Sequence, residues 1–230
     1  MGQVFPPELY ATKYPDIYPI INGKKFIPPN DRAQNWQPNF SAPDLLDAAK
    51  ESVQQYFQKY PKMTYMAISV NEGRGYDQSP ASLAAIKEYQ KKYPNPQIAA
   101  AEFYSQTYWS FMNKLGEWMQ TNEPGKLLLG LAYNDVSMAP DFKLSPNIIV
   151  MTVVHISEVK SDVILLPHLV GASTLSDWLK VSHHYGQHEW LEGMGFLIPR
   201  SYTHYYSRFV KAVKASGAQD MYQALECDPN

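Results

Sequence analysis

Apolar runs alternate with amphipathic segments along most of this chain, and that alternation leaves few folds open to it. Residues 64–70 (Thr64-Tyr65-Met66-Ala67-Ile68-Ser69-Val70), 127–133 and 148–154 are short, apolar and rich in residues that suit extended backbone. Residues 187–191 and 221–226 give two further candidate strands. Between these runs, hydrophobic residues recur every three or four positions, which predicts helices over 43–59, 80–92, about 98–122, about 173–181 and about 202–215. Ser41 followed by Pro43 marks one helix start, and Tyr60-Pro61, Glu123-Pro124-Gly125 and Ser216-Gly217 mark helix ends. Strands that alternate with helices pair in parallel through right-handed crossovers. The near-continuous runs 127–133 and 148–154 predict strands covered on both faces.

Five strands are too few to close an eight-stranded barrel, and the strand at 221–226 has no covering helix after it. The expectation is therefore a single α/β domain over 1–230. It would be part of a (β/α)8 TIM barrel, about five parallel strands with covering helices, truncated at both ends. An open five-stranded α/β sheet is the competing architecture. Residues 1–42, rich in Pro, Tyr and Asn and lacking any sustained period, predict an ordered aromatic and Pro-rich loop region within that domain.

Composition narrows the functional classes. With 45% hydrophobic residues and a net charge of −2, the chain has apolar material for a core and too little net charge for disorder. Its 20 Lys and Arg form no run, so no cationic footprint for a polynucleotide is expected. No stretch reaches the about 20 apolar residues that span a bilayer, and the opening residues lack a signal-peptide pattern. The single cysteine, Cys227, excludes an intramolecular disulfide and a Cys-rich zinc site. No dinucleotide fingerprint, P-loop or nucleophile elbow is present, and no cofactor is expected. The 17 Tyr, 5 Trp and 9 Phe suit a cleft for sugar-like ligands, although such rings also serve as packing.

In a barrel the chemistry sits at the carboxyl ends of the strands. Those ends carry Asn71-Glu72, Tyr133-Asn134-Asp135, His155, Glu189-Trp190 and Glu226. Glu72 and Glu226 fall at equivalent places on strands four apart in order, which in an eight-stranded barrel sets them across the mouth. Two facing carboxylates around a sugar ring are what glycoside hydrolysis needs. Glu72 is the expected general acid, in a partly desolvated pocket, with Glu226 as its partner. Asn71, Tyr133, Asn134, His155, His188 and Glu189 are candidates to hold hydroxyls, and Trp36 and Tyr76 to supply stacking surfaces. His183, His184 and His188, with His155 on a neighbouring strand, raise a rival metal site, but they match no helical metal-ligand spacing and no metal is expected.

Several segments resemble a known family. They are Tyr14-Pro15-Asp16-Ile17-Tyr18, Asn22-Gly23-Lys24-Lys25, Asn35-Trp36-Gln37-Pro38-Asn39-Phe40-Ser41, Ile68-Ser69-Val70-Asn71-Glu72-Gly73, Leu131-Ala132-Tyr133 with Pro140 and Pro146-Asn147, and Ala224-Leu225-Glu226-Cys227-Asp228-Pro229-Asn230. Together they resemble the bacterial domain-of-unknown-function family 4838, barrel proteins similar to α-glucuronidases and hexosaminidases. The family pattern has Asp where this chain has Glu72, and cysteines where it has Tyr76-Asp77-Gln78. The resemblance implies a glycoside-hydrolase-like barrel with a carbohydrate ligand, part of a longer protein that acts on polysaccharide or glycoconjugate sugars in an extracellular or periplasmic setting. The alternatives are a non-catalytic carbohydrate-binding barrel and an incomplete, inactive fragment.

Overall fold

Proline and short polar caps set most of the helix boundaries. The computed structural model describes residues 1–154, 173, 175–190, 203–215, 217–218 and 220–226. Helix α1 is a single turn, Pro7–Tyr10, and a tight turn over Pro15–Ile17 leads into a small hairpin of β1 (Ile20–Ile21) and β2 (Lys24–Lys25). Asn22 and Gly23 join these strands with φ of 51° and 75°, the positive values that a two-residue hairpin turn requires. The loop region expected over 1–42 therefore contains one short antiparallel ladder.

Helix α2 spans Leu45–Lys59, two residues later than its spacing predicts, because Asp44 rather than Ser41 occupies the cap position. Its buried stripe is Leu45, Ala48, Ala49, Val53 and Phe57. Helix α3, Pro80–Lys92, starts where Ser79 accepts a hydrogen bond from the Ser82 amide, with Pro80 in the first turn. Helix α4, Pro96–Asn122, is capped by the Asn95 side chain on the Gln97 and Ile98 amides. The remaining elements are β3 (Tyr65–Ala67), β4 (Leu127–Ala132), β5 (Ile148–Val154), α5 (Leu175–Val181), β6 (His184–Trp190), α6 (Thr203–Ala215) and β7 (Asp220–Glu226). Strand β6 begins three residues before its predicted start.

Strands β3 to β7 form one sheet in the order β3-β4-β5-β6-β7, so each strand lies beside the next in sequence. Every pairing is parallel, with register such as Tyr65↔Leu127, Thr152↔Gln187 and Trp190↔Glu226. The chain is thus α/β, with a parallel sheet and helices packed on it.

Helix α4 covers one face of the sheet. Gly130 lets the Trp109 ring come so close that a Cβ there would sit 2.9 Å from it. The Tyr108 hydroxyl donates to the Ile68 carbonyl at 2.8 Å, and the indole of Trp109 packs edge-on against Trp178 with centroids 5.0 Å apart. Leu128, Gly130 and Ala132 on this face are buried, whereas Leu127, Leu129 and Leu131 on the other are only half-buried. The expectation of two covered faces fails for β4 and holds for β5, whose residues 148–153 are all buried. A strand next to the edge strand has fewer neighbours to cover its second face, and β5 lies at the centre of the sheet.

Candidate functional site

The site is built from two loops at the carboxyl ends of adjacent strands. After β3 the chain runs through Asn71-Glu72-Gly73-Arg74-Gly75, braced along its length by residues 34–37. The Asn35 amide donates to the Glu72 carbonyl at 2.9 Å, the Gln37 amide donates to the Gly75 carbonyl at 2.8 Å, and the Glu72 amide donates to Gln34 Oε1 at 3.2 Å. The fully buried Gln37 side chain completes the brace, accepting from the Asn71 amide at 3.0 Å and donating to the Asn71 carbonyl at 2.7 Å. This close approach requires glycine. A Cβ at Gly75 would lie 2.0 Å from the Asn35 carbonyl oxygen, and Gly73 adopts φ of 93°.

After β4, Tyr133 stays extended, with φ −142° and ψ 148°. Asn134 then turns left-handed, φ 50°, a conformation that Asn tolerates better than most residues. A tight turn over Asn134–Val136 follows, and Val136 is buried, its carbonyl accepting from the Trp109 indole at 3.0 Å. The turn thereby fixes Asp135 beside the first loop.

These loops bring four polar side chains together. The Tyr133 hydroxyl lies 3.5 Å from Glu72 Oε2, and Arg74 Nε lies 3.7 Å from Asp135 Oδ2. Arg74 is 65% exposed and Asp135 only 16%. Burial pushes the Asp135 carboxyl above its ordinary range, with the Arg74 charge opposing. Burial also raises the Tyr133 phenol, and the Glu72 carboxylate adds to that rise. Tyr76 and Tyr104 stack nearby, centroids 4.2 Å apart and 18° from parallel. Burial pushes Tyr104 up to about 12 and Tyr76 well above its usual value, and Asp135 is the strongest charge acting on either phenol.

The predicted site residues divide sharply. Glu72 and Tyr133 stand 3.5 Å apart, with Asn134 adjacent, but Glu72 is exposed rather than enclosed, because its loop runs outward over residues 34–37. Trp36 is no stacking platform. It is fully buried against Tyr18 at 5.7 Å, and its indole donates to the Ala33 carbonyl. Tyr76, 2% exposed, is likewise packing rather than an open surface, since its ring is sandwiched onto Tyr104. The Asn71 side chain is occupied internally, donating to the Trp36 carbonyl at 2.9 Å and accepting from the Met1 amine at 3.0 Å.

Register places the remaining candidates. Leu131 pairs with Met151 and Val153 with His188, so the extended Tyr133 continues a row that reaches His188 on the face away from α4. Glu189 pairs in register with Leu225. Glu226 ends β7, paired in register with Trp190. His155 lies outside the described residues. His184 and His188 stand four residues apart on one strand, about 13 Å, too far to share an ion. His184 instead begins β6 at the opposite end of the sheet, its Nδ1 3.1 Å from Asp220 Oδ2. Among the described residues no cluster of three His, Cys, Asp or Glu side chains is arranged to hold a metal. No described helix is long and apolar enough to cross a membrane.

Asp135 is the residue that sequence reasoning passed over. It stands in the strand-end string Tyr133-Asn134-Asp135, but its low exposure and its Arg74 partner depend on the folded chain.

The family model for DUF4838, a domain of unknown function, matches residues 1–225. The chain belongs to DUF4838. No curated protein and no solved structure matches it. In this DUF4838 chain, the paired loops after β3 and β4 are the described place where carboxylates, a guanidinium and a phenol converge. Open clefts lie elsewhere. One of about 520 Å³ is lined by Asp16, Lys25 and Asp77, and another of about 650 Å³ by Tyr10, Tyr60 and Met63. The Asp77 carboxylate in the first is already engaged, accepting from the Ile20 amide at 2.8 Å and the Ser82 hydroxyl at 2.7 Å.

Proposed function

We propose that this chain is an arc of a (β/α)8 barrel that cleaves O-glycosidic bonds, with its site at the carboxyl ends of the strands. The sequential strand order supports the barrel, because open doubly wound sheets reverse their order at a switch point and this sheet does not. The observation that carries the function is the convergence of Glu72, Tyr133, Arg74 and Asp135 on two neighbouring strand ends. Such groups suit a polyhydroxylated ligand, whose hydroxyls can both donate and accept.

Glu72 and Glu226 remain the proposed carboxylate pair. They follow or end the first and fifth strands of the sheet. A flat sheet would hold those strands about 19 Å apart, whereas an eight-stranded closed arc sets them across the mouth, where carboxylates a few ångströms apart can flank a glycosidic bond. Glycosides of common sugars, in both anomeric forms, test the proposal. Wild-type protein should hydrolyse at least one. Glu72→Gln and Glu226→Gln should each lower turnover by about 10²-fold or more while sugar affinity persists. Hydrolysis unchanged in both variants would remove the pair from the mechanism.

The exposure of Glu72 favours one alternative, a non-catalytic carbohydrate-binding barrel. Wild-type protein would then bind sugars without turnover, and both variants would bind them equally well.

A further inference from the structure

The carboxyl end of the sheet holds a third carboxyl group whose surroundings suit a different task. We infer that Asp135 is the residue that donates a proton to the departing glycosidic oxygen, a role that rests on the proposed hydrolase function and leaves Glu72 and Glu226 as the carboxylates that face the sugar and the incoming water.

The surroundings of Asp135 carry this assignment. Asp135 lies at the carboxyl end of β4, held in a turn whose next residue is buried and anchored by Trp109, so its position is fixed. Its side chain is 16% exposed, enough to be reached by a ligand and enclosed enough to be stripped of most water. Its cation, Arg74, stands at 3.7 Å and is itself 65% exposed, so that charge is largely spent in solvent. Tyr76 and Tyr104 stack on one another, and Asp135 is the strongest charge acting on either phenol. The Tyr76 hydroxyl is buried with no hydrogen-bond partner, a phenol whose strongest charged influence is Asp135. A carboxyl group in such a place keeps its proton more readily than one in water, which is the property a general acid needs. Glu72, exposed on its loop, has no comparable enclosure.

The step balances without any cofactor. The Asp135 carboxyl O–H gives its proton to the bridging oxygen as the anomeric C–O bond breaks, its electron pair going to that oxygen, which leaves as an alcohol. Water supplies the new bond at the anomeric carbon. The water's proton passes to a carboxylate and then through solvent to Asp135, so the net change is glycoside plus water to hemiacetal plus alcohol.

Leaving-group dependence tests the assignment. Methyl and 2,4-dinitrophenyl glycosides of common hexoses, pentoses, N-acetylhexosamines and uronates are compared for wild type, Asp135→Asn and Glu72→Gln. Methanol needs a proton to leave, and dinitrophenolate does not. Asp135→Asn should lose about 10²-fold or more on methyl glycosides and less than about tenfold on dinitrophenyl glycosides, and the alkaline limb of its kcat/KM profile should vanish. Retained dinitrophenyl turnover also shows that the variant folds. Equal losses on both substrates with a lowered Tm, or the selective pattern appearing in Glu72→Gln instead, would overturn the assignment and leave the hydrolase proposal standing. A wild type that turns over neither substrate class would overturn both.

Discussion

The two faces of β4 carry alternate residues of one strand yet sit in different surroundings. On one face Leu128, Gly130 and Ala132 are packed under α4, where Trp109 and Tyr108 fill the space that the glycine leaves. On the other, Leu127, Leu129 and Leu131 stay half-buried, and the same row continues to Tyr133 and its contact with Glu72. The first face carries the packing energy and the second leads to the candidate site. Stability and chemistry are thus separated by strand alternation alone.

Mutations can break this contrast. Trp109→Ala should cost the most, about 3–5 kcal/mol in chemical unfolding, because it empties a fully buried site against Trp178 and removes the donor to Val136. Gly130→Ala comes next, about 1–3 kcal/mol, since its Cβ would meet the Trp109 ring at 2.9 Å. Leu131→Ala on the opposite face should cost only about 1 kcal/mol, because much of its side chain stays in water. If Leu131→Ala destabilised as much as Trp109→Ala, the second face would be covered in solution and the contrast would fail.

The smallest effect is a pH dependence. Asp135 holds its proton more tightly folded than unfolded, because burial raises it from 3.8. The folded state then binds more protons, so stability is fully present below the unfolded value and falls as pH rises through the raised folded value. Tm measured across that window should decline in wild type and flatten in Asp135→Asn. A wild-type profile that rises instead would mean the Arg74 charge outweighs burial.

Much of the scaffold is legible in the sequence because its signals are local. Pro80 announces α3 and the apolar run of β5 sits where its composition puts it, whereas α4 starts at Pro96, ahead of the start at about 98 that its periodicity gives. The Asn22-Gly23 hairpin carried an equally local signal, a turn pair between short runs, and was absorbed into an expected loop. The fate of Trp36 was not legible. An irregular segment has no period to mark its inner side, and only the folded chain shows it serving as a brace for the Glu72 loop. Strand order set Glu72 and Tyr133 at the ends of neighbouring strands, but the exposure of Glu72 depends on how residues 34–37 lift the loop. The burial of Asp135 was hidden for a related reason, since the groups that interact with its charge, Arg74, Tyr76 and Tyr104, come from segments separated from it in sequence.

The unbroken order β3-β4-β5-β6-β7 has a consequence for how the chain is made. Each strand docks on the one synthesised just before it, so a ribosome releasing the chain from its amino end delivers every new strand to a template already in place. Among the described residues, no strand of this sheet has to wait for a later partner or slip between two earlier ones. Assembly can therefore keep pace with translation.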